Sequence, residues 1–223
     1  MGLPSGRKWA IANIDLSSPS GFQEVGGVVS PYKYECSFCS WGNTEMYNPN
    51  AQNSFAGVYD WGGVNAQEPY FEGQPYGSTP GAALNADFGP SYDAARQHLG
   101  PPWRLPTSEE FQELVTNCDF IDENGNIVTA ATSVAGTDAD KRILMNGVVG
   151  LRLRSRINGN VIFFTASGDG KDTKWDYRGD YGRYWSSSWH SDRIARSLNF
   201  TPTSVDPRND RYRYLGFAVR PVF

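Results

Sequence analysis

The chain is poor in several residue types that would otherwise point straight to a chemistry. Its 223 residues include only three cysteines, too few for a disulfide scaffold in a chain of this length. Cys36-Ser37-Phe38-Cys39 has the spacing of half a zinc site, but no second such pair and no histidine pair follows it. The two thiols therefore read as neighbouring core or loop groups, or as a redox-labile pair, and neither a metal nor a cofactor is expected. Cys118 closes an amphipathic segment and reads as packing. With only His98 and His190 available, no Ser/His/Asp constellation can be argued. No apolar run approaches membrane-spanning length, and the first residues lack the basic and apolar regions of a secretory signal. Met1-Gly2-Leu3-Pro4-Ser5-Gly6 does not fit a myristoylation site, because residue 6 is glycine. A basic excess is missing too: 20 Lys and Arg stand against 24 Asp and Glu, for a net charge of -4, which argues against a dedicated nucleic-acid binder.

Aromatic residues are plentiful, at 14%, beside 24 glycines and 14 prolines, a loop-rich composition too aromatic for disorder. Leu3 to Ile14 reads as an opening strand. From about Ser17 to Pro90 periodicity is lost, and Trp41-Gly42-Asn43 and Asp60-Trp61-Gly62-Gly63 suggest a long ordered loop region that packs its own rings. Ser91 to Leu99 reads as a short helix with Ser91 able to cap it and Gly100 as its stop. Thr107-Ser108-Glu109-Glu110 is a capping box, and Phe111, Leu114, Val115 and Cys118 follow at helical spacing. Asn124-Gly125 between Ile121 and Ile127 reads as a hairpin turn rather than a calcium loop. Val148–Ser155 and Val161–Phe164 read as a hairpin turned at Asn158-Gly159, with Arg152 and Arg154 outward. In the loop after it, Asp169, Asp172 and Asp176 read as a solvated turn. Strands and two helices segregated along the chain imply an α+β domain around an antiparallel sheet.

The tail is the most informative stretch. Tyr184-Trp185-Ser186-Ser187-Ser188, Ala195, Leu198, Phe200, Val205, Pro207 and Gly216-Phe217-Ala218-Val219-Arg220-Pro221-Val222 are core-type positions. The runs His190–Arg193, Thr201–Ser204 and Arg208–Leu215 mix charge, hydroxyls, aromatics and proline with no strand or helix pattern. A carefully spaced scaffold with arbitrary filling presents a surface, and that points to recognition.

Gly2-Leu3-Pro4-Ser5-Gly6 with Trp9-Ala10, Trp103-Arg104-Leu105-Pro106-Thr107 with Glu110-Phe111 and Leu114, Ser155–Asn160 with Phe163, and the tail motifs together resemble the major paralogous domain family of Bacteroidetes and Fibrobacter. The resemblance implies one C-type-lectin-fold domain of the formylglycine-generating-enzyme subtype over residues 1–223, an insertion at about 22–90, and a variable region at about 184–223. Part of that family resembles the variable proteins of diversity-generating retroelements, whose adenine-directed mutagenesis scatters Asn codons. Glu, Lys, Gln, Met and Trp lie outside what such a codon reaches, and residues 190–215 contain none of the five. The resemblance makes Trp185, Ala195, Leu198, Phe200, Val205, Gly216, Phe217 and Val219 scaffold, with Arg213 held structural. It makes His190, Ser191, Asp192, Arg193, Arg196, Ser197, Asn199, Thr201, Thr203, Ser204, Asp206, Arg208, Asn209, Asp210, Tyr212, Tyr214 and Leu215 variable binding positions. Trp189, Tyr212 and Tyr214 would supply amphipathic contact area, and the arginines directional hydrogen bonds.

The implied function is non-enzymatic recognition of a protein or cell-surface ligand by a receptor-binding or adhesion module on a cell surface or phage virion. A non-diversified surface domain of the same family is the alternative. Formylglycine-generating chemistry needs a reactive cysteine in the C-terminal half, whereas the last cysteine here is Cys118. Calcium-dependent sugar binding needs a carboxylate that Gln74-Pro75-Tyr76 does not supply.

Overall fold

The computed structural model describes residues 1–61, 90–191 and 194–223. Among these, two α-helices form: α1 (Ala94–Leu99) and α2 (Ser108–Asn117). The expected capping box is present at the start of α2. The Thr107 hydroxyl accepts from the Glu110 backbone N–H at 3.2 Å, and the Glu110 carboxylate accepts from the Thr107 N–H at 2.9 Å. Helix α1 starts later than the sequence suggested, because Asp93 rather than Ser91 caps it and Pro90–Tyr92 form a 3-10 turn. The Asp93 carboxylate accepts from the N–H of Arg96 at 3.0 Å and from that of Leu105 at 2.9 Å, so a contact with the Pro-rich segment fixes where the helix begins. Gly100, at φ 71°, ends it.

Glu110 also receives Arg104, with Nη1 at 2.8 Å and Nη2 at 2.5 Å from its two oxygens, and Arg7 at 2.8 Å. Burial raises the carboxyl's pKa, but these bonds outweigh it and leave it below its usual value. A lowered carboxylate pKa contributes stability above the unfolded value, and that stability is lost as pH falls through the folded one. Glu110→Gln preserves the capping box but not the ion pairs. The variant should lose about 1 kcal/mol at neutral pH and show a shallower decline on acidification, read by denaturant titration along a pH series.

The strands are β1 (Glu24–Val25), β2 (Val28–Val29), β3 (Phe38–Cys39), β4 (Cys118–Phe120), β5 (Ile143–Met145), β6 (Val148–Ser155), β7 (Val161–Thr165), β8 (Asp169–Lys171), β9 (Lys174–Asp176), β10 (Gly182–Trp189), β11 (Ile194–Thr201), β12 (Ser204–Tyr212) and β13 (Phe217–Ala218). The main sheet runs β12-β11-β10-β13-β3, antiparallel except where β10 lies parallel to β13. A second sheet is centred on β6, which pairs with β4, β5 and β7, and β1–β2 and β8–β9 are two small hairpins. The architecture is α+β. The hairpin of β6 and β7 stands where the sequence placed it, turned through Gly159 at φ 76°. Ile121 and Ile127 bridge across a turn through Gly125 at φ 85°.

Two expectations are corrected. Leu3–Ile14 is not a strand; it touches its neighbours through single bridges, Trp9 to Val222 and Ile14 to Phe22. The Ala10 and Ile11 carbonyls accept from the Arg220 guanidinium, at 3.2 and 2.8 Å, instead of from a partner strand. Conversely, the irregular run from Arg208 lies largely on a strand, β12, whose pairing with β11 shifts register between Ser197 and Asn199. Among the described residues β12 is the edge of its sheet and pairs only with β11, which tolerates Pro207 beside the register shift.

The main sheet is covered on both faces. Tyr184, Leu198 and Phe200 share a core with Phe111 and Leu114 of α2 and with Phe164. Trp185, Phe217 and Val219 share another with Trp41 and with Ala94 and Ala95 of α1. Adjacent residues of a strand point to opposite faces, so Tyr184 and Trp185 anchor one core each. In the described part of the irregular region, Trp41, Phe55 and Trp61 are fully buried, with Phe55 and Trp61 edge to face at 5.1 Å. No helix among the described residues is long and apolar enough to cross a membrane.

Candidate functional site: the hairpin surface of the tail

Strands β11 and β12 form a hairpin at the sheet edge, and this hairpin carries most of the binding positions expected from the sequence. His190, Thr203, Ser204, Arg208, Asp210 and Tyr212 are exposed. Trp189, Ser191, Arg196, Thr201, Asp206, Asn209 and Tyr214 are half-buried. Asp192 and Arg193 lie outside the described residues. Of the run Arg208–Tyr214 only Arg213 is buried, and its guanidinium sits over the Trp41 ring at 4.7 Å.

Three expected surface positions are buried instead: Ser197, Asn199 and Leu215. The Ser197 hydroxyl donates to the Asn209 carbonyl at 3.1 Å. The Asn199 side-chain oxygen accepts from Arg183 Nε at 3.3 Å, across the β10–β11 pair. Leu215 joins the core under Trp185 and Phe217. The resemblance implied all three as binding positions, but cross-strand partners satisfy the two polar ones inside.

The exposed face has its own order. Arg196 and Asp210 are directly opposite each other on β11 and β12. Arg208 reaches Glu109 of α2 at 2.6 Å, and Arg196 approaches the same carboxylate at 4.0 Å. Burial acts to raise the Glu109 pKa, but the Arg208 hydrogen bond and other donors hold it below its usual value. His190 stands 3.6 Å from Asp210. At the hairpin tip Thr201 and Ser204 share hydroxyl contacts at 3.1 Å, and Tyr212 stacks on Tyr214 with centroids 5.6 Å apart.

Beside the far end of β12 the surface sinks into an open concavity of about 370 Å³. Asp210, Tyr212, Tyr214 and Leu215 line one side, and Asp169, Lys171, Tyr177 and Arg183 the other. Arg183 is buried, ion-paired with Asp169, and lies over the parallel rings of Tyr177 and Tyr181 at 5.1 Å from each. Asp169 is therefore not part of a solvated turn, as the sequence suggested: it is the buried first residue of β8, paired with Asp176 of β9. Sequence reasoning missed Glu109, Lys171, Tyr177, Arg183 and Arg211 as members of this surface. Glu109 and Arg208 are 99 positions apart, and no local pattern announces such a contact.

Cys36, Cys39 and Cys118 are free and buried. Burial pushes the Cys36 thiol up to about 12 and Cys118 to about 11, and raises Cys39 as well. No cluster of three His, Cys, Asp or Glu side chains suited to a metal ion occurs among the described residues. Comparison with protein-family models, curated proteins and solved structures finds no match to this chain.

Proposed function

We propose that this chain is a recognition protein whose edge hairpin displays interchangeable side chains on a rigid α+β scaffold of the C-type-lectin kind. Retroelement mutagenesis diversifies that surface, and the ligand is a protein or cell-surface target, met by an adhesion or receptor-binding module on a cell surface or phage virion. The observation that carries the reading is the contrast along β11 and β12. Ala195, Leu198 and Phe200 are fully buried, while Arg208, Asp210 and Tyr212 on the partner strand are exposed. Exposed side chains outside the core change with little disturbance of the backbone, and a fixed backbone keeps the cost of binding low. Tyrosines and arginines at such positions are the residue types that dominate binding energy elsewhere. The cysteines support recognition over thiol catalysis, since all three are buried with raised pKa values.

Replacing Thr203, Ser204, Arg208, Asp210 and Tyr212 together, within the residue set of a mutated Asn codon, should move stability by no more than about 0.5 kcal/mol per site. The same replacement should change which ligands are retained by an array of surface proteins. A collapse of the melting temperature, or an unchanged ligand profile, would overturn the reading. In the genome, a near-copy of the 3′ end of the gene differing only at adenines, beside a reverse transcriptase, is expected.

A further inference from the structure

The floor of the concavity beside β12 holds polar groups that the protein itself leaves open. Asp169 is 1% exposed, and Arg183 takes one of its oxygens. The other, Oδ1, is buried and has no hydrogen-bond partner among the described residues. Arg211, on β12 above it, has a buried Nε–H that likewise lacks an acceptor among the described residues. A buried donor or acceptor left unpaired costs about 1–3 kcal/mol. Two of opposite kind in one concavity form a cradle for a group that brings one acceptor and one donor.

Charge narrows the choice. Among the described residues that line the concavity, Arg183, Arg211 and Lys171 stand against Asp169 and Asp210, an excess of positive charge. Burial first, and then the charge of Arg211, hold the Arg183 guanidinium down to about 10, so Arg211 adds repulsion to a cation that burial already disfavours. An anion between them would relieve that repulsion. The walls are aromatic, with Tyr177 48% and Tyr212 51% exposed, and supply contact for the carbon part of a ligand.

We propose that this concavity is an anchor subsite for an acidic residue of a protein ligand. The side-chain carboxylate accepts from Arg211 Nε–H and pairs with Lys171, and a backbone N–H beside it donates to Asp169 Oδ1. The proposal rests on the recognition reading in taking a protein as the ligand. It goes beyond it in placing part of the binding energy on Asp169, Lys171, Tyr177 and Arg183, which lie outside the irregular tail runs. The rim then varies with β12 while the floor stays constant, so differing surfaces would share a preference for acidic epitopes.

The test is a titration of the isotope-labelled full chain with N-acetyl-aspartate N-methylamide, followed through the arginine Nε–Hε resonances. The Arg211 signal should shift and saturate. The matching asparagine compound, equal in shape and in backbone donors but with a neutral carboxamide for the carboxylate, should bind about tenfold more weakly or not at all. Arg211→Gln should abolish binding, read at the backbone amides of Lys171 and Tyr212, and Lys171→Gln should weaken the Arg211 response, each in a chain whose remaining spectrum is unchanged. No shift with the aspartate compound, or an equal shift with the asparagine compound, would overturn the proposal. A stronger response to glucuronate would also overturn it, by making the site one for an acidic sugar. A silent Arg211 signal together with a ligand profile that changes on swapping the hairpin residues sinks the subsite alone. A saturating signal with an unchanged profile sinks the recognition reading and keeps the subsite.

Discussion

Trp185→Ala should destabilise the chain by about 3–5 kcal/mol, the usual cost of emptying a buried indole site. Trp185 is fully buried and stacks on Phe217 with ring centroids 4.1 Å apart and planes 22° from parallel. Its Nε1–H donates to the Cys39 carbonyl at 2.9 Å, which ties β10 to β3 across the intervening β13. Truncation removes the contact area, opens a cavity between two strands and orphans a buried carbonyl. Phe217→Ala should behave similarly, and Trp185→Phe should recover the stacking but not the hydrogen bond. Denaturant titration checks this: the midpoint should fall with little change in slope. A wild-type midpoint for Trp185→Ala would deny that the ring is scaffold and, with it, that the hairpin stands on a rigid base.

The second large effect is expected at Arg220. Its guanidinium is fully buried, lies over the Phe164 ring at 4.7 Å, and donates to Asn13 Oδ1 and to the carbonyls of Ala10, Ile11 and Phe163 at 2.8 to 3.2 Å. One planar group thus ties the N-terminal segment, β7 and the C-terminal end together. Arg220→Met keeps the volume but leaves these acceptors inside without donors, at about 1–3 kcal/mol apiece before relaxation. A net loss of about 3–5 kcal/mol is expected, because removing a buried charge returns part of the total. Arg220→Lys should restore only part of it, since an ammonium cannot reproduce the fork of donors. Hydrogen exchange should report the loss first around Ala10 to Asn13. Unchanged protection there would contradict the role assigned to Arg220.

Between Arg220 and the tail surface lies the difference between what local sequence conveys and what it does not. The capping box at Thr107 and Glu110, the Asn158-Gly159 turn and the alternation of Val148–Ser155 were legible, because each depends on contacts a few residues apart. So was the division of the tail: Trp185, Phe217 and Leu198 read as core and are buried, and Arg213 read as structural and is buried. Strand β12 was not legible, because an edge strand imposes no apolar alternation and its pairing is supplied by β11. Ser197 and Asn199 stood among the binding positions that the resemblance implied, yet their partners Asn209 and Arg183 hold them inside.

By itself, then, the sequence determined that the chain folds as α+β, where its helix α2 and its β6–β7 hairpin lie, and that Trp185, Leu198, Phe200 and Phe217 are core. Tertiary structure alone decided which polar tail residues face water, that Glu109 meets Arg196 and Arg208, and that Asp169, Arg183 and Arg211 share a concavity. Propensity and periodicity act over a few residues and are written locally. Burial and charge pairing across a sheet depend on segments far apart in the chain, whose meeting is fixed only when the whole core closes.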